Sequence, residues 1–302
     1  MSIVVFGSIN MDLIARVPRL PAPGETLTGH SFMTAPGGKG ANQAVACARL
    51  GAVTRLIGRL GDDVFGGMLR ESLAGYGVNT SGVAVHPGAP SGVAVITVDD
   101  AAENEIIVVP GANGVVGRED LVRLAAALDG ARVLLLQLEV PLDAVVAAAE
   151  MGRRRGVTVI LDPAPAQPLP GAFYAAVDIL TPNESEAAAL VGFPLDDPDT
   201  IARASQTLLK SGARNVIVKL GGKGVFWSNG SESAHFPAFR VEAVDSVGAG
   251  DAFNGGLAVG LSDGLDMAAA IRWGLAAGAL SVTKSGAQPS MPDRAAVEIL
   301  LT

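Results

Sequence analysis

The chain has 302 residues, 49% of them hydrophobic and 17% charged, with a formal net charge of -8. That balance describes a packed globule large enough for one α/β domain, excludes a disordered chain and disfavours binding to nucleic acid. A single cysteine, Cys47, excludes an intrachain disulfide and any metal site built from several cysteines.

The opening stretch "MSIVVFGSIN" has no basic segment ahead of an apolar one, and no apolar run reaches the roughly 18 residues of a membrane span. A soluble cytoplasmic protein with no membrane partner is therefore expected. "IVVF" (3–6) reads as a first apolar strand, and "GSINMD" places Asn10 and Asp12 just beyond it, where open α/β sheets hold ligands. Residues 12–34 alternate in the strand manner around the turn "LPAPGE". "APGGKGANQAVACARLGA" (35–52) predicts a helix over 38–50 entered through Gly37 and Gly38. Lys39 and Asn42, three apart, share one face of its first turn. The pair reads either as a solvated turn or as a polar clamp on a polyhydroxylated ligand.

A helix follows over 64–76, and residues 92–109 read as a hairpin whose turn lies near Asp99–Glu103. Apolar strands at 133–138, 157–161, 177–180 and 216–220 then alternate with helices at 141–152, 184–191 and 198–211. Such alternation implies a parallel sheet covered on both faces, in a single domain over 1–302. The segments 12–34 and 92–109 do not fit that rhythm. They are expected to form a small antiparallel sheet that projects as a lid, and their apolar residues predict a homodimer joined lid to lid.

In "DSVGAGDAFNGG" (245–256), Gly248, Ala249 and Gly250 lead straight into Asp251, after which Phe253, Leu257 and Leu261 recur with helical spacing. One reading makes Asp251 a helix-start carboxylate stabilised by the macrodipole. The other lets the amides of 248–250 hold a transferring phosphoryl group while Asp251 accepts a proton from the attacking hydroxyl. An Asp with a pKa near ~3.9 cannot ionise an alcohol in the ground state, but it can take the proton as the bond to phosphorus forms. The acid then faces the nucleophile and the amides face the phosphate. No Walker A loop or G-x-G-x-x-G fingerprint is present, and His30, His86 and His235 are too scattered for a zinc site or hydrolase triad.

Together "GSINMD", "GGKGANQA" and "DSVGAGDAFNGG" resemble the ribokinase (PfkB) family of carbohydrate kinases. "LQLEVPLDAV", "LDPAPA", "TPNESEA" and "KSGAQPSMP" extend the likeness from about residue 3 to the end. The resemblance implies a ribokinase-like doubly wound α/β fold, with a mostly parallel sheet flanked by helices and a β-sheet lid. It also implies transfer of the γ-phosphoryl of MgATP to the primary 5-hydroxyl of a sugar, D-ribose being the expected acceptor, to give ribose 5-phosphate and ADP. A kinase for deoxyribose, a ketose or a nucleoside is the alternative within the family, and a non-catalytic sugar or nucleoside sensor the alternative outside it.

By the same resemblance, Asn10, Asp12, Gly38, Lys39, Asn42 and Glu139 contact the sugar and Asp251 is the base, with Gly248, Ala249 and Gly250 as anion hole. Asn183 and Glu186 match positions associated with phosphate and with Mg2+, the latter held through water. Lys219, Leu220, Gly221, Gly222, Lys223 and Gly224 match a loop that accompanies ATP. Asp245, Val247, Ser281, Lys284, Gly286 and Ser290 match positions ringing a monovalent cation, so activation by K+ is expected. Lys219 stands where the family often has threonine, and Leu275 where a histidine can flank the adenine. Both departures are expected to bear on nucleotide selection and not on the reacting centre.

Overall fold

In strand β1 (Ser2–Phe6) successive side chains point to opposite faces: Ile3 and Val5 enter one apolar core, Val4 and Phe6 the other. The computed structural model describes residues 2–101 and 103–302; Met1, and Ala102 in the expected 99–103 turn, lie outside the described residues. After β1 the chain forms β2 (Asn10–Arg16), β3 (Ser31–Gly37), α1 (Lys39–Arg49), β4 (Val53–Gly61), α2 (Val64–Gly75) and β5 (Asn79–His86). Next come β6 (Gly92–Val98), β7 (Asn104–Val109), α3 (Arg118–Ala127), β8 (Ala131–Leu136), α4 (Leu142–Arg154), β9 (Thr158–Leu161) and the short α5 (Gly171–Tyr174). Then follow β10 (Ile179–Leu180), α6 (Glu184–Val191), α7 (Pro198–Lys210), β11 (Asn215–Lys219), β12 (Val225–Ser228) and β13 (Ser233–Phe236). Helices α8 (Ala249–Ser262), α9 (Met267–Ser281) and α10 (Arg294–Leu301) close the chain.

Nine strands make one sheet in the order β13-β12-β11-β10-β9-β8-β1-β4-β5, parallel from β11 to β5 and antiparallel at β12 and β13. Strand β1 pairs with β4 on one side and β8 on the other, so the strand order reverses there. A crevice opens beyond the carboxyl ends of such strands, and ligands of open α/β sheets lie in it. Helices α1 and α8 cover the face that carries Ile3, Val5, Val133 and Leu135. Their close approach depends on Gly255: a Cβ there would stand 2.5 Å from that of Ala46. That contact lies one turn beyond Asn42 and Gln43 on α1 and one turn beyond Asp251 on α8, and it brings the three together.

The small sheet has the order β3-β2-β6-β7. Its outer pairs are antiparallel, while the central β2–β6 pair runs parallel, as strands not joined by a hairpin are free to do. It grows out of the crevice itself: β2 starts four residues after β1 ends, and β3 runs into the start of α1. Among the described residues, no helix is long and apolar enough to cross a membrane.

Strand β4 lay beyond the reach of pattern reading because Arg55 and Arg59 interrupt its apolar run. The fold satisfies both: Arg55 donates to the Ala127 carbonyl at 2.9 Å, and Arg59 pairs with Asp120 at 2.7 Å and Glu119 at 3.0 Å. Helices α3, α9 and α10 and strands β5, β12 and β13 were likewise not foreseen. In α9, "MAAAIRWGLAAGALS", apolar and small residues surround the helix on most sides, so periodicity is faint.

Candidate active site

Helix α8 starts from Gly248, whose φ of 78° suits glycine and whose missing Cβ leaves room for Ala287, 3.1 Å from where it would stand. Asp251 falls in the first turn but caps nothing. Its Oδ2 accepts from Asn42 Nδ2 at 3.0 Å and its Oδ1 from Gln43 Nε2 at 3.1 Å. Only 5% exposed, it has its pKa pushed up to about 6, first by desolvation and then by the charge of Asp162; Lys39 and the two amide donors restrain the rise. A carboxylate buried and held this way is placed for proton transfer. The amide of Ala249 donates to the Ser246 carbonyl at 3.2 Å, while the following amides of the first turn have no intrahelical acceptor.

Helix α1 starts from Gly38, with φ 88° and no room for a Cβ against the Asn10 amide 2.7 Å away. Burial lowers the tendency of Lys39 to hold its proton, but Asp251, Asp162, Glu139 and Glu186 outweigh it and leave the ammonium more firmly protonated than usual. Glu139, just past β8, accepts from the Lys39 backbone amide at 3.0 Å and from the Ser8 hydroxyl. Asn10 and Asp12 stand on β2, in register with Gly37 and Ala35 of β3. The Asn10 Oδ1 accepts from Asn113 Nδ2 at 2.7 Å, and a Cβ on Gly37 would meet the Asp12 carboxylate at 2.3 Å. Desolvation, then the charges of Glu139 and Asp251, push the pKa of Asp12 up to about 7. The six positions expected at the sugar therefore converge beside Asp251.

A cavity of about 530 Å³ opens on the other side of Asp251, walled by Lys39, Asp162, Asn183, Glu186, Lys219, Gly221, Gly248, Ala249 and Gly250 among others. Asn183 and Glu186 form a reciprocal cap at the start of α6: Asn183 Oδ1 accepts from the Glu186 amide, and Glu186 Oε2 from the Asn183 amide, both at 2.8 Å. Glu186 thus has a structural role and faces the cavity as well. Burial raises its pKa, against the pull of Lys219.

Lys219, the last residue of β11, and Gly221, in the turn after it, reach the cavity. Leu220 is buried, Gly222 is exposed, Lys223 is exposed and lies 3.6 Å from Glu184, and Gly224 accepts the Leu220 amide. Leu275, on α9, belongs to the apolar core. The Lys219 Nζ lies 2.8 Å from Asp162 Oδ1 and 3.3 Å from where a Gly250 Cβ would stand, beside the start of α8.

The segments expected to ring a cation also meet. Asp245 accepts from the Val247 amide at 3.0 Å and the Gly286 amide at 2.8 Å, and its own amide donates to the Val282 carbonyl at 3.1 Å. Ser281 and Ser290 are buried and donate to the carbonyls of Gly278 and Ala287, and the Lys284 amide donates to Ser281. Sequence reasoning missed Gln43, Asp162, Gln137 and Ser8. Gln43 adjoins Asn42 within "GGKGANQA", yet only packing shows that consecutive residues of α1 grip the two oxygens of one carboxylate.

Residues 1–294 match the pattern of the pfkB family carbohydrate kinases. A ribokinase of Haemophilus influenzae is 41% identical over 293 residues, covering 97% of this chain and 96% of its own. A deoxyribokinase of Salmonella typhi is also 41% identical, over 294 residues with the same shares covered. The solved structure of an Arabidopsis thaliana ribokinase complexed with ribose and ATP superposes with a TM-score of 0.93 at 36% identity, over 100% of this chain and 98% of that chain. The chain belongs to the pfkB family of carbohydrate kinases.

Proposed function

We propose that this pfkB-family kinase transfers the γ-phosphoryl of ATP to the primary 5-hydroxyl of D-ribose, with Asp251 as general base. The observation that carries the reading is the position of Asp251, gripped by Asn42 and Gln43 between a polar pocket and a cavity lined by the start of α8. Asn10, Asp12, Asn42 and Glu139 orient the sugar hydroxyls, and Gly38 lets the start of α1 close on the Asn10 backbone, which keeps Asn10 and Lys39 on one pocket. Asp251 takes the hydroxyl proton as the oxygen attacks phosphorus. The amides of Gly248 and Gly250, and that of Ala249 once it leaves the Ser246 carbonyl, receive the charge that gathers on the phosphoryl oxygens, assisted by Lys39. The turn of Leu220 to Gly224 accompanies the nucleotide, and Leu275 lies on the helix behind it.

Mg2+ fits the cavity as an ion borne by the nucleotide: both Glu186 oxygens already accept from Asn183, which favours a contact through water. There the ion would neutralise phosphate charge. K+ fits the loop pair 245–247 and 281–290, where Asp245, Val247, Ser281, Lys284, Gly286 and Ser290 would supply mostly carbonyl oxygens and hold the start of α8 in place. The small sheet acts as a lid over the sugar. Its edge strand β7 is exposed throughout, Ile106, Ile107, Val108 and Val109 included, and Phe32 and Met33 on the other edge strand, β3, are exposed as well, which supports a homodimer joined through the lids.

ADP release, measured with D-ribose, 2-deoxy-D-ribose, fructose and adenosine, tests the reading. D-ribose should exceed the others in kcat/KM by roughly tenfold or more, since a buried polar partner left unpaired costs about 1–3 kcal/mol. The likeness to a deoxyribokinase supports a second reading, 2-deoxyribose as acceptor, and a preference for that sugar would establish it.

A further inference from the structure

The cavity contains an ion pair that phosphoryl transfer, as set out above, leaves without a role. Asp162, 2% exposed, follows β9, and Lys219 ends β11. Lys219 Nζ lies 2.8 Å from Asp162 Oδ1, and Asp162 Oδ2 accepts from Gln43 Nε2 at 3.0 Å. That same nitrogen donates to Asp251 Oδ1 at 3.1 Å. Gln137, also buried, donates from Nε2 to Gln43 Oε1. The carboxamide of Gln43 therefore has one orientation, oxygen to Gln137 and nitrogen between two carboxylates.

A shared nitrogen caps the separation of the two carboxylate oxygens at about 6 Å. Like charges that close in a dry wall repel strongly unless a counter-charge stands beside one of them. Lys219 is that counter-charge. The charged groups around Asp251 are Lys39 from α1 and Lys219 from β11, against Asp12 from β2, Glu139 after β8, Asp162 after β9 and Glu186 from α6. Among the carboxylates of the described residues, Asp162 alone shares a hydrogen-bond donor with Asp251.

We propose that Asp162 and Lys219 form a positioning pair for the general base, clamping Gln43 and, through it, setting the orientation and protonation of Asp251. The proposal rests on the reading of Asp251 as base. Neither residue need touch the sugar. Each should move the ionisation of Asp251, and in opposite directions, which a merely structural ion pair would not do.

The test is the acid limb of kcat against pH, with both substrates saturating. Asp162→Asn should move the limb to lower pH by about one unit, because a neighbouring like charge is removed. Lys219→Met should move it to higher pH by a similar amount, the double variant should fall between them, and Lys219→Arg should stay near the parent. Should a variant turn over too slowly, the carboxyl carbon resonance of Asp251 titrated in 13C-labelled protein reads the same ionisation. Limbs or resonances unmoved in both single variants, or shifted in the same direction, overturn the proposal. So does a Lys219→Met variant that changes only the KM for ATP. A normal kcat in Asp251→Asn would remove the base reading itself, an outcome distinct from these.

Discussion

Two helices of this protein start alike and serve differently. Both α1 and α8 are entered through a glycine with left-handed backbone, φ 88° at Gly38 and 78° at Gly248, and neither has a side-chain cap. At α1 the first amides are already engaged: Lys39 donates to Glu139, Gly40 to the Ser8 hydroxyl at 3.3 Å, and Ala41 to the Ser8 carbonyl at 2.9 Å. At α8 only Ala249 is engaged in this way, through Ser246, and the Gly250 amide has no acceptor among the described residues. A glycine-led helix start can bind an anion only where its amides remain unspent. The first therefore anchors a lysine over the site, whereas the second faces the cavity with open donors and carries the acid.

The largest test of that contrast is Asp251→Asn. Loss of the general base should lower kcat by about 10²–10⁴, or roughly 3–5.5 kcal/mol of barrier, while ATP and sugar still bind within about an order of magnitude. The same variant should be more stable than the parent at pH 8. Asp251 has a folded pKa of about 6 against an ordinary 3.8, so its favourable contribution is complete below pH ~4 and is lost as pH rises through about 6. Removing the buried charge should return about 1–2 kcal/mol at pH 8 and nothing at pH 4, read from paired denaturant curves. A helix-start carboxylate without catalytic function would give the reverse: slight destabilisation and a normal kcat.

The glycines separate the two starts next. Gly38→Ala and Gly248→Ala each force a left-handed backbone on alanine and crowd a neighbour, at about 1–3 kcal/mol of stability. Their kinetic signatures should diverge. Gly38→Ala should chiefly raise the KM for the sugar, and Gly248→Ala should chiefly lower kcat, with roughly tenfold effects in steady-state assays. Matching signatures would mean that the two starts serve the same ligand.

A pH series sharpens the sugar side. Asp12, with its pKa near 7, and Asp251, near 6, both lose favourable folding free energy as pH rises through those values. The unliganded protein should therefore melt a few degrees lower at pH 8 than at pH 5, and Asp12→Asn should flatten that slope. Activity should run the other way, falling below pH about 6 as Asp251 takes up its proton. The smallest effect concerns α8 alone. Replacing K+ by a large organic cation at equal ionic strength should reduce kcat several-fold, and equal rates would refute a cation behind that helix start.

Much of this site was legible because its parts are local. Glycines ahead of a helix and an acid within its first turn are short-range patterns, and their order along the chain carries the family resemblance. What escaped detection was long-range. Asp162 lies 119 residues from the Gln43 that it shares with Asp251, and Lys219 lies 57 residues from Asp162. No periodicity records such pairs. Lys219 shows the limit well: nothing in the sequence around it announces the Asp162 carboxylate or the Gly250 backbone that it lies beside.

By itself the sequence determined the layers. Runs such as "IVVF" and "VLLLQL" have side chains apolar on both faces, so they can stand only in a parallel sheet covered twice, and the glycines fix where helices may begin. Only the tertiary structure decided which residues meet at the site. Ala46 against Gly255 sets how near α1 comes to α8, and the reversal of strand order at β1 brings Ser8, Glu139 and Lys39 together. Asp251 acquires its raised pKa from the burial and neighbouring charges that this packing creates, a property no stretch of chain possesses until the fold closes around it.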